Sequence, residues 1–323
     1  MHDFSGKIAV ITGGGSGIGR ELARQLVTQG CHVAICDVSQ SRMNDTLERC
    51  HAENPQDVTV SGTLCDVADE MQVSQYVEAV RVKHATDHID LLINNAGVNG
   101  GGSFIESPRE EWERTFNICW LGVYLVTRAF MSLLLKSRDG HLVNMSSANA
   151  IRAVLGGHVP HTAYSTAKFA VRGFTEALIH DFRFNAPHLS VSVVMPGHTG
   201  TGIISNSLDV LGQKQPAEWA AEEIRTNKRR WRISGRDDVQ SMSDDEARMV
   251  GTREIDNMRE LGLPPAEAAR VILDGVREKR WRILIGTDTK TLDHLVRQSP
   301  ETAYDPDFVD RWREANNRLT ELD

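Results

Sequence analysis

The sequence is poor in cysteine, and its few thiols follow no disulfide or metal-binding pattern. Five cysteines occur among 323 residues. Their number is odd, no pair has the C-x-x-C spacing, and most lie in apolar, strand-like stretches. These features argue against a disulfide scaffold or a zinc site, so we expect no metal and buried free thiols in a cytoplasmic protein. The five are Cys31, Cys36, Cys50, Cys65 and Cys119.

Long hydrophobic runs and an excess of positive charge are also missing. The longest apolar stretch, residues 121–135, is interrupted by Arg128, so no segment approaches the length of a membrane span. The N-terminus runs from Lys7 directly into a strand, without an apolar signal core. A formal net charge of -8 argues against a general nucleic-acid binder.

What the sequence does contain begins with a strand, a glycine turn and a helix. Residues 7–12 are a short apolar run typical of a buried parallel strand, residues 13–19 are rich in glycine, and residues 20–27 have helical spacing. The glycines allow close approach of a ligand, and the helix N-terminus offers free N–H groups to a pyrophosphate. The alternative is a simple glycine-rich turn, but the flanking strand and helix favour a dinucleotide site.

An acidic residue ends the next predicted strand. Asp37 follows the glycines by about twenty residues, where a carboxylate can accept hydrogen bonds from both hydroxyls of an adenosine ribose. The same carboxylate would repel a 2′-phosphate, by up to roughly 4 kcal/mol at contact for an effective dielectric of 20. Since Val38 and Ser39 supply no cation, we predict NAD rather than NADP. The alternative role of Asp37 is to cap the following helix.

Three further predicted strands end in polar or small residues, as expected for a ligand crevice at the carboxyl ends of an open α/β sheet. The third strand ends in Asp66, which either contacts an adenine or caps the next helix. The fourth leads into Asn94, and the fifth ends in Ser146 and Ser147. Asn117 lies in an otherwise apolar helix, where an amide is either a structural bridge or part of a site.

Tyr164 and Lys168 lie four residues apart in a stretch with helical periodicity, so both side chains lie on one face of the helix. A free phenol is a poor base at neutral pH, but a neighbouring cation stabilises a phenolate. Such a pair could exchange a proton with an alcohol oxygen. Taken alone, the Y-x-x-x-K spacing indicates no more than a tyrosine and a lysine on the surface of an amphipathic helix, because the spacing often arises by chance.

Taken in order, these motifs resemble the short-chain dehydrogenase/reductase family. The resemblance covers roughly residues 5 to 202 and depends on the ordered set, since each motif is weak alone. The matching motifs are Thr12-Gly13-x-x-x-Gly17-Ile18-Gly19, Asn94-Asn95-Ala96-Gly97, Asn117, Ser146-Ser147, Tyr164-x-x-x-Lys168 and Pro196-Gly197.

The resemblance implies an α/β fold, a doubly wound Rossmann-type and mostly parallel sheet with helices on both faces. It implies that Tyr164 is the catalytic acid/base, that Lys168 holds the nicotinamide ribose, that Ser147 bonds the substrate oxygen, and that Asn117 positions Lys168 through a water. The implied cofactor-binding residues are Gly13, Ser16, Gly17, Ile18, Gly19, Asp37, Asp66, Val67, Asn94, Tyr164, Lys168, Pro196, Gly197, Thr199 and Thr201.

The implied function is NAD(H)-dependent interconversion of a secondary alcohol and a ketone, with a small molecule as substrate and neither nucleic acid nor membrane as partner. The resemblance also implies a homodimer or homotetramer. One alternative is an NADPH-dependent carbonyl reductase, against which Asp37 argues. The other is a non-catalytic dinucleotide-sensing protein, against which the complete set of Asn117, Ser147, Tyr164 and Lys168 argues.

The separation between Ser147 and Tyr164 is a few residues longer than is usual in the family. We therefore expect residues 156–161 to bulge near the substrate mouth. There His158 and His161 either contact substrate or, as the simpler interpretation, are solvated. Ser146 is the alternative to Ser147 for the substrate hydrogen bond.

The second departure follows residue 202. We predict one Rossmann-fold domain over residues 1–286, in which residues 203–263 form an enlarged substrate lid, and a C-terminal extension over residues 287–323. The lid contains a basic run with a tryptophan, residues 228–232, which most simply is an exposed helix of mixed charge. If the run is functional, it indicates an acidic or acyl-carrier-type substrate. The extension either packs across a partner subunit, covers the active site or lies free.

Overall fold

The computed structural model describes residues 3–54, 58–155, 160–233 and 235–320. Seven short segments of these residues form the strands, and the central ones are apolar and buried along their length because both faces of the sheet are covered. The strands are β1 (Ile8–Thr12), β2 (His32–Asp37), β3 (Val60–Leu64), β4 (Leu91–Asn94), β5 (His141–Met145), β6 (Ser190–Pro196) and β7 (Arg282–Ile285).

The strands form one sheet in the order β3-β2-β1-β4-β5-β6-β7, and every pairing is parallel. The chain moves outward from β1 to β3 and then returns to place β4 on the other side of β1. A crevice forms where the order reverses, at the carboxyl ends of β1 and β4. The predicted doubly wound, Rossmann-type sheet is confirmed.

Twelve α-helices connect or follow these strands in the described residues. Several begin at the expected caps, such as the Asp69 side chain, which accepts hydrogen bonds from the N–H groups of Met71 and Gln72. The helices are α1 (Gly17–Thr28), α2 (Gln40–Ala52), α3 (Glu70–Lys83), α4 (Arg109–Phe116), α5 (Gly122–Leu134), α6 (Thr162–Asn185), α7 (Ile203–Val210), α8 (Ala221–Ile233), α9 (Asp244–Glu260), α10 (Pro265–Arg277), α11 (Thr287–Gln298) and α12 (Phe308–Thr320).

The two faces of the sheet carry separate apolar cores. On one face Leu22 of α1 and Ile272 of α10 pack over β1 and β7. On the other face Tyr76 of α3 and Phe130 of α5 meet edge to face, with ring centroids 5.3 Å apart. Helices therefore cover both faces, and the carboxyl edge of the sheet is left for a site.

The described residues of the segment 203–263 include three α-helices, α7 to α9, with a small core of their own. Trp231 is buried in it beside Ile224, Val239 and Ala247. A Ser243 capping box starts α9. The base of this segment is closed by backbone hydrogen bonds from Gly200 N–H to the Leu263 carbonyl and from Leu263 N–H to the His198 carbonyl.

One helical stretch of the described residues, Arg109–Leu134, is long and apolar enough to cross a membrane by length and composition alone. Half of its most apolar window is buried inside the fold. Its Phe130 and Val126 belong to the core under the sheet, which accounts for its apolar composition. A buried core helix can have the same length and apolar composition as a membrane span.

Candidate active site

The glycine turn lies at the crevice between β1 and β4. Gly13 has φ +64°, and a Cβ built on it would lie 2.8 Å from the Cα of Ala96, so the close approach of these two loops requires glycine. A Cβ on Gly19 would lie 2.2 Å from the Gly13 carbonyl oxygen, which shows how closely α1 packs on the turn. The N-terminus of α1, which Ser16 precedes, faces the resulting cleft.

Most of the predicted cofactor residues line this cleft. The cleft is also lined by residues from the loop after β4, from α4 and from α7, which lies across one side of it. The predicted residues on its wall are Gly13, Ser16, Gly17, Ile18, Asp37, Asp66, Val67 and Thr201. Gly19 lies in the first turn of α1 and does not line the cleft.

Asp37 ends β2 at the cleft and accepts hydrogen bonds from two backbone N–H groups, those of Gly15 at 2.9 Å and Ser39 at 2.9 Å. Arg42, one turn into α2, also lines the cleft. Its guanidinium donates to Asn206 at 3.3 Å and lies 3.6 Å from Asp209, both on α7. The sequence has no cation directly after Asp37, but in the structure α2 brings the guanidinium of Arg42 into the same cleft.

Asp66 reaches the cleft, but its carboxylate is engaged by the protein. One oxygen accepts from the Ala68 N–H at 3.0 Å, and the other pairs with Arg114 at 2.5 Å. Arg114 also lines the cleft. The alternative that Asp66 caps the next helix is wrong, because Asp69 supplies that cap.

The placement of Asn94 beside the adenosine half is wrong in this structure. Its side chain lies buried under the sheet and donates to Thr127 and Asn144, both at 2.8 Å. Asn95 lines the cleft instead, and its amide donates to the carbonyls of Thr12 and Gly13. Adjacent strand residues point to opposite faces, so the motif alone could not assign the correct one.

Ser147 and Tyr164 line one cavity next to the cofactor cleft. The Ser147 hydroxyl accepts from the backbone N–H of Asn149 at 3.1 Å and donates to the Asn149 side-chain oxygen at 3.3 Å. Ser146, the alternative, is turned away from the cavity and donates to the Lys168 carbonyl at 2.8 Å. The structure therefore brings Ser147, rather than Ser146, to Tyr164.

Lys168 is buried one helical turn after Tyr164. Its ammonium lies 5.5 Å from the centroid of the Tyr164 ring and donates to the Met145 carbonyl at 2.9 Å. A Cβ on Gly97 would be 3.5 Å from the same Nζ atom, so this cation lies behind the crevice and beside the β4 loop.

Asn117 begins a π-helical segment, Asn117–Leu121, that interrupts the helix between α4 and α5. The sequence predicted one continuous helix here. Such interruptions are frequent at functional sites. This segment packs against α6, the helix that carries Tyr164 and Lys168.

Pro196, Gly197 and Thr199 line the Ser147–Tyr164 cavity, and Thr201 lines both this cavity and the cofactor cleft. The far wall was not assigned by the sequence. It includes Trp312 and Arg313 of α12, so the C-terminal segment lies along this cavity. Trp312 is fixed by a hydrogen bond from its indole N–H to the Asp288 carbonyl at 2.9 Å.

His161 also lines the cavity, directly before α6, with an unusual φ of +47°. Burial, reinforced by the charge of Arg230, lowers the pKa of its imidazole from the ordinary value. Its partner in the prediction, His158, lies outside the described residues. No group of three His, Cys, Asp or Glu side chains in the described ranges is arranged to hold a metal, and all five cysteines are buried free thiols.

Comparison with known proteins identifies the family. A family model for short chain dehydrogenases matches residues 7–210. The chain is also 31% identical over 297 residues to the oxidoreductase SadH of Mycobacterium tuberculosis, with 92% of each chain covered. This protein belongs to the short-chain dehydrogenase/reductase family. As a member, it is an NAD(P)-dependent dehydrogenase/reductase.

Solved members of the family share the fold and hold either form of the nicotinamide dinucleotide. A short-chain dehydrogenase/reductase from Burkholderia phymatum in complex with NAD has a TM-score of 0.71 at 25% identity, over 95% of this chain and 98% of its own. A metagenomic short-chain oxidoreductase in complex with NADP has a TM-score of 0.52 at 26% identity, over 60% of this chain and 83% of its own.

The cleft of this short-chain dehydrogenase/reductase fits a dinucleotide. It has the glycine cradle that a Cβ would fill, a helix N-terminus for a pyrophosphate and the Asp37 carboxylate where a ribose would lie. Sequence reasoning missed Arg42, Asn95, Asn149 and Trp312. Asn149 was the easiest of these to predict, because an amide two residues after a strand-end serine is typical of a local side-chain turn.

Proposed function

We propose that this protein interconverts a secondary alcohol and a ketone, with NAD as the hydride carrier and a small molecule as substrate. The arrangement of Ser147, Tyr164 and Lys168 carries the proposal. Two hydroxyls line one cavity beside the dinucleotide cleft, and a buried ammonium lies 5.5 Å from the ring of the second. This is the arrangement needed to hold an alcohol oxygen and to move its proton.

In the oxidative direction the Tyr164 oxygen takes the hydroxyl proton of the substrate, and in the reductive direction it returns a proton to the ketone oxygen. The Lys168 ammonium stabilises the negative charge that develops on the phenol oxygen. The Ser147 hydroxyl has one proton, which the Asn149 side-chain oxygen accepts in this structure. When substrate enters, the hydroxyl turns this proton to the substrate oxygen and thereby fixes the reacting carbon. Asn117 supports Lys168 from the π-helical segment packed on α6.

The dinucleotide, when bound, accepts or supplies the hydride. Gly13, Ser16, Gly17 and Ile18 hold its pyrophosphate at the α1 N-terminus, while Asp37 takes the adenosine ribose. The other contacts come from Asp66 and Val67 at the adenine and from the Pro196–Thr201 segment at the nicotinamide. Lys168 holds the second ribose.

The choice of NAD over NADP rests on Asp37, which would oppose a 2′-phosphate. The guanidinium of Arg42 favours the second candidate, an NADPH-dependent carbonyl reductase, because it lies in the same cleft and could pair with that phosphate. In this structure it is engaged by Asn206 and Asp209 of α7. We expect NADH to bind at least ten-fold more tightly than NADPH in fluorescence titrations. A preference for NADPH that Arg42→Gln abolishes would establish the second candidate.

The activity is tested by NADH formation at 340 nm over a panel of secondary alcohols, with NAD and NADP in parallel. The panel includes small aliphatic, aryl, steroid, sugar and hydroxyacyl-thioester members. Turnover with NAD of any member supports the proposal. Tight NADH binding without turnover of any alcohol or of the matching ketones would instead favour a dinucleotide sensor.

The enzyme is further proposed to be a cytoplasmic homodimer or homotetramer. Five buried free thiols suit a reducing compartment. Tyr124 of α5 and Phe169 of α6 are 44% and 41% exposed, and such large exposed side chains on neighbouring helices suit an interface between copies. Light scattering after gel filtration measures the state, and a monomer at micromolar concentration would refute it.

A further inference from the structure

A second cavity branches from the catalytic one, between the loop of residues 99–108 and helix α8. Asn99, His161 and Ile204 line both cavities, so the two cavities adjoin at these residues. His161 lies three residues before Tyr164 in the chain. A substrate that reaches Tyr164 could therefore extend into this branch.

The α8 side of the branch is basic. Arg225, Arg229 and Arg230 line it. The spacing of four residues places Arg225 and Arg229 on one face of the helix, and Arg230 follows Arg229 directly. The opposite face of α8 carries Ile224 and Trp231, which are buried in the lid core. This packing fixes the rotation of α8, so the arginines are held toward the branch.

The opposing charges do not neutralise this face. Glu106 pairs with Arg229 at 3.0 Å, and Glu111 accepts the Gly101 N–H at 2.9 Å. Arg225 makes no ion pair or hydrogen bond through its side chain with the described residues, and the field of Arg230 already reaches His161. Among the described residues that line the branch, three are arginines and two are glutamates, in a chain whose net charge is -8.

We propose that this branch is an anion subsite, which holds a phosphate or carboxylate on the part of the substrate remote from the reacting carbon. Guanidinium groups bind both anions through paired N–H donors. The proposal rests on the alcohol–ketone activity proposed above and narrows its substrate to one that carries a distant negative charge. The Arg229–Glu106 pair is exposed and contributes little to stability, so it can open as an anion enters.

The test is calorimetric titration of NADH-saturated enzyme with inorganic pyrophosphate, and separately with succinate. Saturation with NADH keeps these anions out of the dinucleotide cleft. We expect one saturable site for at least one of them, with affinity that falls as KCl is raised. The double variant Arg225→Gln/Arg229→Gln should weaken it at least ten-fold. Binding of pyrophosphate alone would identify a phosphate group, and binding of succinate a carboxylate.

The matched control is Arg232→Gln/Arg253→Gln, which removes the same charge from exposed lid positions that do not line the branch. It should bind the anion within two-fold of wild type. The proposal is overturned if NADH-saturated wild type shows no saturable binding of either anion, or if both double variants bind equally. If wild type does not bind NADH, the result contradicts the dehydrogenase function. If wild type binds NADH but neither anion, the result contradicts only the subsite.

Discussion

At the scale of single residues, the proton-transferring role of Tyr164 gives the sharpest prediction. Tyr164→Phe removes one oxygen and keeps the ring beside Lys168. We expect kcat to fall about 10²–10⁴-fold, the usual contribution of a positioned acid or base. The affinity for NADH should stay within about two-fold, because the cleft keeps its glycine turn and Asp37. Steady-state rates at 340 nm and NADH fluorescence measure the two quantities.

The control for that variant is Tyr124→Phe, which removes a hydroxyl from an exposed position on α5. Its rate should match wild type. A Tyr164→Phe enzyme with a near wild-type rate would exclude Tyr164 as the acid/base, and a fall of equal size in both variants would indicate a structural effect.

Asn149 is predicted to be a positioning residue that acts through Ser147. Its side-chain oxygen accepts the Ser147 hydroxyl at 3.3 Å, while its own NH₂ group donates to the Ala153 carbonyl at 3.0 Å. Asn149→Ala removes this link between Ser147 and the Ala153 carbonyl, so the Ser147 side chain is no longer held in place at the cavity. We expect kcat to fall roughly ten-fold, with KM for NAD unchanged.

A double-mutant cycle separates positioning from a general loss of structure. If Asn149 acts through Ser147, Asn149→Ala should cost little more in a Ser147→Ala background. Additive losses in the double variant would contradict the role, and they would point to an effect on the loop that follows β5.

At the scale of elements, the sequence predicted the features that depend on residues close together in the chain. The strand, glycine turn and α1 depend on short-range sterics and apolar runs, and the Tyr164–Lys168 pair depends on helical spacing. All of these lie where the motifs indicated. The π-helical segment at Asn117 was not predictable, because its residues are as apolar as those of an uninterrupted helix.

Long-range contacts account for the other differences. Arg42 enters the cleft because α2 packs back against the glycine turn, and Trp312 enters the cavity because α12 returns across the sheet edge from a position more than a hundred residues after Tyr164. The residues next to Arg42 and Trp312 in the chain give no indication that these side chains reach the cleft or the cavity. The side on which Asn94 points was also ambiguous, since the next residue, Asn95, is an asparagine too.

Helix α12 is predicted to shape the substrate cavity. Trp312→Ala should open its far wall and lower kcat/KM roughly ten-fold through KM, because the substrate loses a rigid surface. NADH affinity should not change, since α12 does not line the cofactor cleft. Steady-state kinetics with the best alcohol of the panel measure the first effect.

Trp312→Phe provides the comparison. It keeps an aromatic ring in the wall and loses the five-membered ring with the N–H that donates to the Asp288 carbonyl, so it should recover most of the activity. Unfolding in urea should show a cost of roughly 2 kcal/mol for Trp312→Ala, below the 3–5 of a fully buried tryptophan. An unchanged KM for the alcohol in a folded Trp312→Ala enzyme would show that α12 does not contact the substrate.

At the scale of the whole molecule, stability toward acid depends on a histidine inside the sheet. His141 in β5 is 1% exposed. The Ser192 hydroxyl donates to the Arg280 carbonyl at 2.6 Å, so it accepts from the imidazole Nε2–H at 2.7 Å. The other nitrogen, Nδ1, has no partner among the described residues. Burial lowers the pKa of His141 to about 3, so the folded protein holds this ring neutral.

This lowered pKa makes folding pH-dependent with a definite sign. The unfolded chain binds a proton at His141 near pH 6.5, and the folded chain does not until about pH 3. The stabilising contribution is therefore complete above pH 6.5 and is lost as the pH falls toward 3. Between pH 7 and pH 4.5 the loss from this residue should be roughly 2–3 kcal/mol.

Urea unfolding of wild type and His141→Gln at pH 7 and pH 4.5 tests this contribution. His141→Gln should lose less free energy of unfolding between the two pH values than wild type does, whatever its stability at pH 7. His180→Gln, a change at an exposed position on α6, should keep the wild-type difference. Equal differences in all three proteins would show that the acid sensitivity arises elsewhere. His84 is the next position to test, because burial lowers its pKa to about 4.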